Sequence, residues 1–263
     1  MIYERQINDM STLISSLNEL PNRYIFRGHA NSSWQLESTL ERLLGKSWSV
    51  DRAKLFEEYS INIFKSKYNI YKKSEHQPNT KLSWLSVMQH YGVPTRLLDF
   101  TESPYIALYF AIEAYDLSVK PDFSIYSLDY YSLMEKSKEY INERDCNFHK
   151  ENNFPDTDNI FENVIDRFSY DIAWVTEPHE SNARIDRQAG TFLISGNKKL
   201  KIEELLNLDI YRESNVIKFT IKGHLYEHCF ALLRKMNINA KTIYGDLSGL
   251  GKYIKTELQI HAE

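Results

Sequence analysis

Apolar residues recur at helical spacing in several stretches of this chain, and shorter stretches alternate between apolar and polar residues. Helical spacing and capping signals predict helices over Ser11–Leu20, Ser38–Leu43, Asp51–Tyr71, Leu82–Tyr91, Pro104–Tyr115, Leu200–Leu208, His224–Met236 and Asp246–His261. Alternation predicts strands over Tyr24–His29, Trp34–Glu37, Phe123–Leu128, Thr191–Ser195, Asn215–Ile221 and Lys241–Tyr244. Short strands among helices, without regular βαβ spacing, predict an α+β fold in which helices pack around a short mixed or antiparallel sheet.

Two segments add to this picture. The longest predicted helix, Asp51–Tyr71, carries an apolar face that we expect to pack on the rest of the domain: Leu55, Phe56, Tyr59, Ile63, Phe64 and Tyr68. Residues 135–160 are charged and rich in Asn with little periodicity, which predicts a flexible insertion. The chain is otherwise expected to form one domain over residues 1–263.

The stretch from Leu85 to Ala111 concentrates polar groups at a helix end and a helix start. Gly92 and Pro94 indicate the end of one helix, and Ser103 before Pro104 indicates the start of the next. Between them the apolar residues of a short extended run are expected to anchor it to the core. Four polar residues of this run should then crowd one edge: Arg96, Asp99, Thr101 and Glu102.

Arg27 and Asp99 both have strongly apolar neighbours in the sequence. A charge held among apolar residues needs a partner at short range, because burying it alone costs several kcal/mol. We therefore expect Arg27 to meet the turn that contains Arg96 and Asp99, about 70 residues further along the chain. Any cavity beside this contact would be polar and would attract anions.

Composition is ordinary for a globular protein, with 42% hydrophobic and 26% charged residues. The net charge of −4 gives no overall attraction to nucleic acid. The two cysteines show neither a disulfide framework nor metal-ligand spacing, so we expect no metal site and a reducing compartment. The absence of a signal-like start or a long apolar run predicts a cytoplasmic protein without a membrane association.

Three separated blocks resemble the FRG domain family, which is named for Phe-Arg-Gly. They are Phe26-Arg27-Gly28, the run from Gln89 to Asp99 continued by Ser103-Pro104 to Ala111, and a third block of Asn182, Arg184, Gln188, Gly190 and Phe192. The resemblance spans Tyr24 to Ile254. It implies a largely bacterial and phage-associated protein, such as a phage-defence or toxin-type effector.

A more distant resemblance is to ADP-ribosyltransferases of the toxin type. Arg27 and the Thr101-Glu102-Ser103 segment occupy the positions of that family's arginine and Ser/Thr-x-Ser motif. This resemblance implies an ADP-ribosyltransferase-like fold, NAD as cofactor, and an arginine on the pyrophosphate. The third motif departs from the family because Gln188-Ala189-Gly190 lacks a glutamate, and Glu180 and Glu102 are substitutes out of register.

The sequence thus predicts a domain that binds NAD, ADP-ribose or a similar nucleotide, with ADP-ribosyltransferase or NAD glycohydrolase activity as the candidate chemistry. The predicted catalytic residues are His90, Thr101, Glu102 and Gln188. The predicted ligand-binding residues are Arg27, Gly28, His29, Gln89, Arg96, Asp99, Ser103 and Arg184.

Two other functional classes stay open at this level. A nucleic-acid-acting effector, such as a nuclease, would use the one basic concentration in the sequence: Arg184, Arg187, Lys198, Lys199 and Lys201. A non-catalytic binding module would instead use Arg27, Asp99 and Gln188 as a mutually satisfied structural network. Structural roles are also open for Arg96 as a local partner of Asp99, and for His90, Thr101 and Ser103 as helix caps.

Overall fold

The computed structural model describes residues 2–72, 77–145, 148, 160–167, 169–178, 183–196 and 199–261. Its strands form one seven-stranded mixed sheet in the order β1-β7-β4-β2-β3-β6-β5. The strands are β1 (Tyr3–Ile7), β2 (Tyr24–His29), β3 (Leu98–Thr101), β4 (Phe123–Asp129), β5 (Ala173–Thr176), β6 (Gly190–Ser195) and β7 (Ile217–Ile221). β1 is parallel to β7, and the other neighbouring pairs are antiparallel.

Helices pack around this sheet, which confirms the α+β class. They are α1 (Met10–Asn18), α2 (Thr39–Leu44), α3 (Val50–Tyr71), α4 (Lys81–His90), α5 (Pro104–Glu113), α6 (Tyr130–Asn142), α7 (Ala183–Arg187), α8 (Ile202–Leu206), α9 (Tyr226–Lys235), α10 (Ala240–Tyr244) and α11 (Leu247–His261). None of the described helices combines the length and the apolar character that crossing a membrane requires.

Three large apolar clusters and a small one around Leu40, Leu44 and Ala53 form the core of the described residues. The alternation of β2 divides it between two of them, since Phe26 packs in one cluster with α5 and α9 while Ile25 packs in another with α6 and α8. β6 divides in the same way, because Leu193 joins the Ile25 cluster and Phe192 joins a third cluster with α4. The first and third clusters therefore flank the region in which the predicted site residues lie.

α5 lies unusually close to β2. The predicted all-round apolar character of α5 is confirmed, with Ala107, Leu108 and Ala111 fully buried. Gly28 permits this approach, because a Cβ atom at this position would lie 1.9 Å from the carbonyl oxygen of Ala107. Gly28 is thus required by packing between strand and helix, which gives it a structural role beside its predicted part in ligand binding.

Several predicted elements differ from the structure. Residues 130–142 form α6, so the predicted insertion at 135–160 begins inside a helix whose Leu133, Ser137 and Ile141 are buried. Its residues 146–147 and 149–159 lie outside the described part of the chain. Trp34–Glu37 is not a strand, and Lys241–Tyr244 belongs to a helix that begins with a capping box at Asn239.

Two strands were not predicted because their sequences carry little apolar alternation. β1 is an edge strand whose first four residues are exposed, so its polar sequence is compatible with one-sided pairing to β7. β5 is the other edge strand and has only four residues. Short edge strands are held mainly by backbone pairing, which leaves a weak signal in the side chains.

The predicted apolar face of α3 is confirmed at Phe64 and Tyr68 and is wrong at its other four positions. Leu55 and Tyr59 are 63% and 67% exposed, whereas the buried face carries Ala53, Glu57, Ile61 and Tyr68. Glu57 is buried because it pairs with Lys81 and Arg96, at 2.9 Å in each case. The buried face of α3 therefore includes a charged residue, which hydrophobic periodicity does not predict.

We predict that Gly28→Ala destabilises the domain by about 1–3 kcal/mol or more, because the new methyl group must push α5 away from β2. Gly251→Ala is the matched control, since no atom lies within 4 Å of a Cβ placed there. Alanine should stabilise that helical position by up to about 1 kcal/mol. Urea unfolding of both variants measures the difference, and equal stabilities would contradict the close packing.

Candidate functional site

A cavity of about 300 Å³ with a mixed polar and apolar lining lies where β2, β3, α4 and α7 meet. It brings together most of the residues that the sequence singled out, from all three blocks. The predicted residues that line it are Arg27, Gly28, Gln89, His90, Asp99, Thr101, Arg184 and Gln188. Phe26, Ser86, Phe100, Phe110, Ile185, Phe192 and Tyr244 complete the lining. We call this space the site cavity.

The site cavity opens where β2 and β3 separate. These antiparallel strands are in register at Phe26 and Thr101, and the pairing extends no further towards Gly28 and Asp99. On its other edge β3 pairs with β6 along its whole length. The main chain of Asp99 therefore faces a gap on the β2 side, and the side chain of Arg27 enters that gap.

Arg27 bonds to two neutral acceptors. Its Nη1 donates to the backbone oxygen of Asp99 at 2.7 Å, and its Nε donates to Nε2 of His29 at 3.0 Å. The nearest carboxylate oxygen of Asp99 is 4.0 Å from Nη1. The expected meeting of Arg27 and Asp99 is confirmed. The main chain rather than a buried carboxylate makes the close contact, because the Asp99 side chain is 63% exposed.

His29 holds Arg27 as a neutral acceptor. Burial, together with the positive charge of Arg27, lowers the pKa of His29 to about 3. The imidazole is therefore uncharged near neutral pH, so Nε2 keeps the lone pair that accepts from Arg27. His29 is buried beside the rings of Trp34 and Tyr126 rather than in the site cavity. The geometry gives it a positioning role.

Gln89 fixes the Asp99 carboxylate. Its Nε2 donates to Oδ1 of Asp99 at 2.7 Å, and its Oε1 accepts from the hydroxyl of Thr95. The backbone N–H of Thr95 in turn donates to Thr39 at 2.9 Å. A chain of hydrogen bonds thus runs from α2 through the central turn to the wall of the site cavity.

The prediction that Arg96 binds ligand in the same site is not supported by its position. Arg96 lies under α3 and α4, where its Nε is 2.9 Å from Oε2 of Glu57 and its Nη2 contacts Oδ1 of Asp166. Its side chain is only 3% exposed, and the Phe161 ring lies beneath the guanidinium at 4.9 Å. The partners of Arg96 are these carboxylates and not Asp99, and the residue does not line the site cavity. It stabilises the scaffold.

The hydroxyl groups of Thr101 and Ser103 form hydrogen bonds with backbone groups. The Thr101 hydroxyl donates to the backbone oxygen of Gln188 at 2.6 Å and accepts from the N–H of Ser103 at 3.1 Å. Ser103 caps α5 by accepting from the N–H of Ile106 at 3.3 Å. Glu102 is exposed and does not line the site cavity, although its N–H bonds to Ala189 at 2.9 Å. These contacts join β3, α5 and the turn before β6.

The third block supplies a second cation. The guanidinium of Arg184 lies 4.7 Å from the centroid of the Tyr244 ring, and both residues line the site cavity. Tyr244 is itself fixed, since its hydroxyl donates to Glu113 at 2.7 Å and its backbone oxygen accepts from Arg187 at 3.3 Å. Arg184 thus lies on a rigid aromatic surface. Asn182 and Glu180 lie outside the described residues.

Two buried polar atoms in the lining have no hydrogen-bond partner among the described residues. They are Oγ of Ser86 and Nε2 of Gln188. Buried polar groups are nearly always bonded, to protein or to ordered water or ligand. Ser86 and Gln188 both line the site cavity, so their side chains are candidates for hydrogen bonds to a molecule within it.

Sequence reasoning missed Ser86, Phe110 and Tyr244. Ser86 had a usable signal, because it precedes Gln89 by three residues and His90 by four, and such residues share a helix face. Phe110 lies on the apolar helix α5, where nothing distinguishes it from core. Tyr244 lies in a segment that was predicted as a strand but is helical, so the sequence could not predict that its ring lines the cavity.

A carboxylate that the sequence did not single out lies near Glu102. Glu177 follows β5, and burial together with the negative charge of Glu102 raises the pKa of its carboxyl, while a hydrogen bond with Thr191 opposes this shift. Among the described residues, no three His, Cys, Asp or Glu side chains form a group able to hold a metal ion. Glu102 and Glu177 are thus a pair of carboxylates outside the site cavity.

Fold and cavity together define an α+β domain with an arginine-lined polar site. Comparison with known families gives the class a name, because residues 22–119 match the FRG domain. The protein therefore contains an FRG domain over these residues. No curated protein and no solved structure matches the chain significantly. The match includes Arg27, Gln89 and Asp99, whereas Arg184 and Gln188 lie beyond it.

We predict that His29 makes the protein less stable as the pH falls. Between its ordinary value of 6.5 and its folded value of about 3, the unfolded state binds a proton at His29 that the folded state does not. Stability should therefore decrease by up to about 1.4 kcal/mol per pH unit through this window. Urea unfolding from about pH 7 to about pH 4 measures the slope.

His29→Gln keeps an acceptor for Arg27 but removes this titration, so its stability should fall less steeply than that of the wild type. The exposed His228→Gln variant is the control and should follow the wild-type slope. Parallel curves for wild type and His29→Gln would contradict the neutral, buried state of His29.

Proposed function

We propose that this FRG domain protein binds an anionic, nucleotide-like ligand of the NAD or ADP-ribose class in the site cavity. The observation that carries the proposal is the placing of two arginines beside two unsatisfied buried polar atoms. Arg27, Arg184, Ser86 and Gln188 come from different parts of the chain and line one space. A purely structural network would be expected to pair Ser86 and Gln188 with each other or with the backbone.

Arg27 is suited to a pyrophosphate. Its two hydrogen bonds use two of the five N–H donors of a guanidinium, which leaves donors for a ligand. A planar guanidinium matches phosphate oxygens in a fork geometry that lysine cannot reproduce. Because water is largely excluded around Arg27, each such bond would be stronger than at the surface.

Charge in the site cavity also favours an anion. Arg27 and Arg184 contribute two cations, and Asp99 contributes one carboxylate that is 63% exposed and bonded to Gln89. The amide of Gln188 and the hydroxyl of Ser86 can bond the amide or ribose hydroxyls of a nicotinamide riboside. This combination suits a ligand with a phosphate at one end and a polar ring at the other.

The same proposal includes a reaction, which is the cleavage of bound NAD. Cleavage of the bond between nicotinamide and ribose requires a carboxylate to stabilise a positively charged ribose, and Asp99 is the carboxylate in the cavity lining. His90 also lines the cavity and is the candidate for proton transfer. Thr101 is a poor candidate reactant, because its hydroxyl already bonds to Gln188 and Ser103.

No comparable observation favours a nuclease. The basic concentration is divided, since Arg184 and Arg187 contact Tyr244 while Lys201 lies 2.5 Å from a carboxylate oxygen of Glu37. Lys198 lies outside the described residues. Two-metal nuclease chemistry would also need clustered ligands, and the described residues contain no such group.

We predict that NAD or ADP-ribose raises the melting temperature of the protein, and that Arg184→Ala weakens this effect. Ligand at about a hundred times its dissociation constant should stabilise the protein by about 2.7 kcal/mol, a shift of several degrees. Thermal unfolding at increasing ligand concentration measures the dissociation constant. Arg184 is replaced rather than Arg27, because Arg27 bonds to His29 and to the backbone of Asp99 in the gap between β2 and β3. Its loss would therefore change the sheet as well as the cavity.

Arg5→Ala is the control, because Arg5 is exposed on the edge strand β1 and equally changes the net charge. It should bind like the wild type. An absence of any shift with wild-type protein at millimolar ligand would overturn the proposal, as would equal binding by Arg184→Ala and Arg5→Ala.

A further inference from the structure

A second cavity, of about 630 Å³, also reaches Arg27. Arg27, Gly28 and Phe110 line both this space and the site cavity, so the two cavities border the same three residues. Besides them the second cavity is lined by His29, Ala30, Ser33, Trp34, Gln35, Glu37, Arg42 and Ala114. We call it the Trp34 cavity.

Trp34 is unusual in this lining. It is 51% exposed, whereas Trp84 and Trp174 are buried in the core. Its backbone oxygen accepts from the hydroxyl of Tyr126 at 3.2 Å, and its ring lies edge-on to that of His29, with centroids 6.2 Å apart. The indole is therefore held in place from one side while it presents surface to the cavity.

The chemistry of the Trp34 cavity differs from that of the site cavity. An exposed indole offers a face on which any nucleic base can stack. Arg42 adds a second cation, and its Nη1 donates to the backbone oxygen of Glu37 at 2.7 Å, which orients the guanidinium. Ser33 and Gln35 supply hydroxyl and amide groups at the same wall.

The two cavities also differ in volume. Pockets for drug-sized ligands occupy about 300–1,000 Å³, so the site cavity, at about 300 Å³, has room for one half of a dinucleotide. A ligand with its pyrophosphate on Arg27 would extend from there in two directions. One direction leads to Ser86 and Gln188, and the other leads to Trp34.

We propose that the Trp34 cavity binds the adenosine half of a dinucleotide, with the base stacked on Trp34 and the pyrophosphate on Arg27. This inference rests on the proposed function, and it assigns the ligand class more narrowly to two-ended nucleotides. The nicotinamide half occupies the site cavity. Arg27 is then the point at which the two halves join.

The test compares NAD with nicotinamide mononucleotide, which lacks the adenosine half. Dissociation constants for both ligands are measured calorimetrically on the wild type, Trp34→Ala and Trp34→Phe. The wild type should bind NAD more tightly than the mononucleotide. Trp34→Ala should bind NAD about tenfold more weakly, because stacking on the indole is lost, and should bind the mononucleotide unchanged. Trp34→Phe retains a ring and should recover most of the affinity.

Tyr59→Ala is the matched control, because Tyr59 is an exposed aromatic residue on α3 that lines neither cavity. It should bind both ligands like the wild type. Equal NAD affinity of the wild type and Trp34→Ala would overturn the adenosine site and leave the proposed function standing. The same holds if NAD binds no more tightly than the mononucleotide. Failure of the wild type to bind either ligand would overturn both proposals together.

Discussion

The position of Arg27 is the constraint on which the site depends. A cation on an inner strand of the sheet loses most of its hydration, and it must find acceptors within reach. The structure supplies Nε2 of His29 and the backbone oxygen of Asp99. That oxygen is accessible because β2 and β3 separate beyond Phe26 and Thr101. The same separation that satisfies the arginine therefore opens the site cavity.

Elements distant in sequence stabilise this opening. Gln89 of α4 holds the Asp99 side chain, while Thr101 ties the end of β3 to the turn at Gln188. Tyr244 anchors the opposite wall through Glu113 at the end of α5. α5 itself is seated on β2 by the missing side chain of Gly28. The polar lining is thus positioned by hydrogen bonds between elements and by close packing.

The sequence predicted what depends on local pattern. β2, β4, β6 and β7 were accessible because their residues alternate towards two apolar clusters, and α5 because apolar residues surround it. Apolar surroundings marked Arg27 and Asp99, whereas the resemblance to the FRG family marked Gln188. The contact between Arg27 and Asp99 was predicted, but other long-range contacts were not accessible. Pairing with Arg96 buries Glu57 on the inward face of α3, and Tyr244 joins the cavity lining from a segment near the end of the chain.

Arg27 and Arg96 looked alike in the sequence, and their partners separate them. Arg96 contacts the carboxylates of Glu57 and Asp166, so its charge is neutralised within the scaffold. Arg27 makes its close contacts with neutral acceptors, and these satisfy its N–H groups without cancelling its charge. A cation held in this way retains an electrostatic field in a region of low dielectric constant. The positive charge that Arg27 presents at the site cavity therefore depends on the neutrality of His29 as much as on the presence of Arg27.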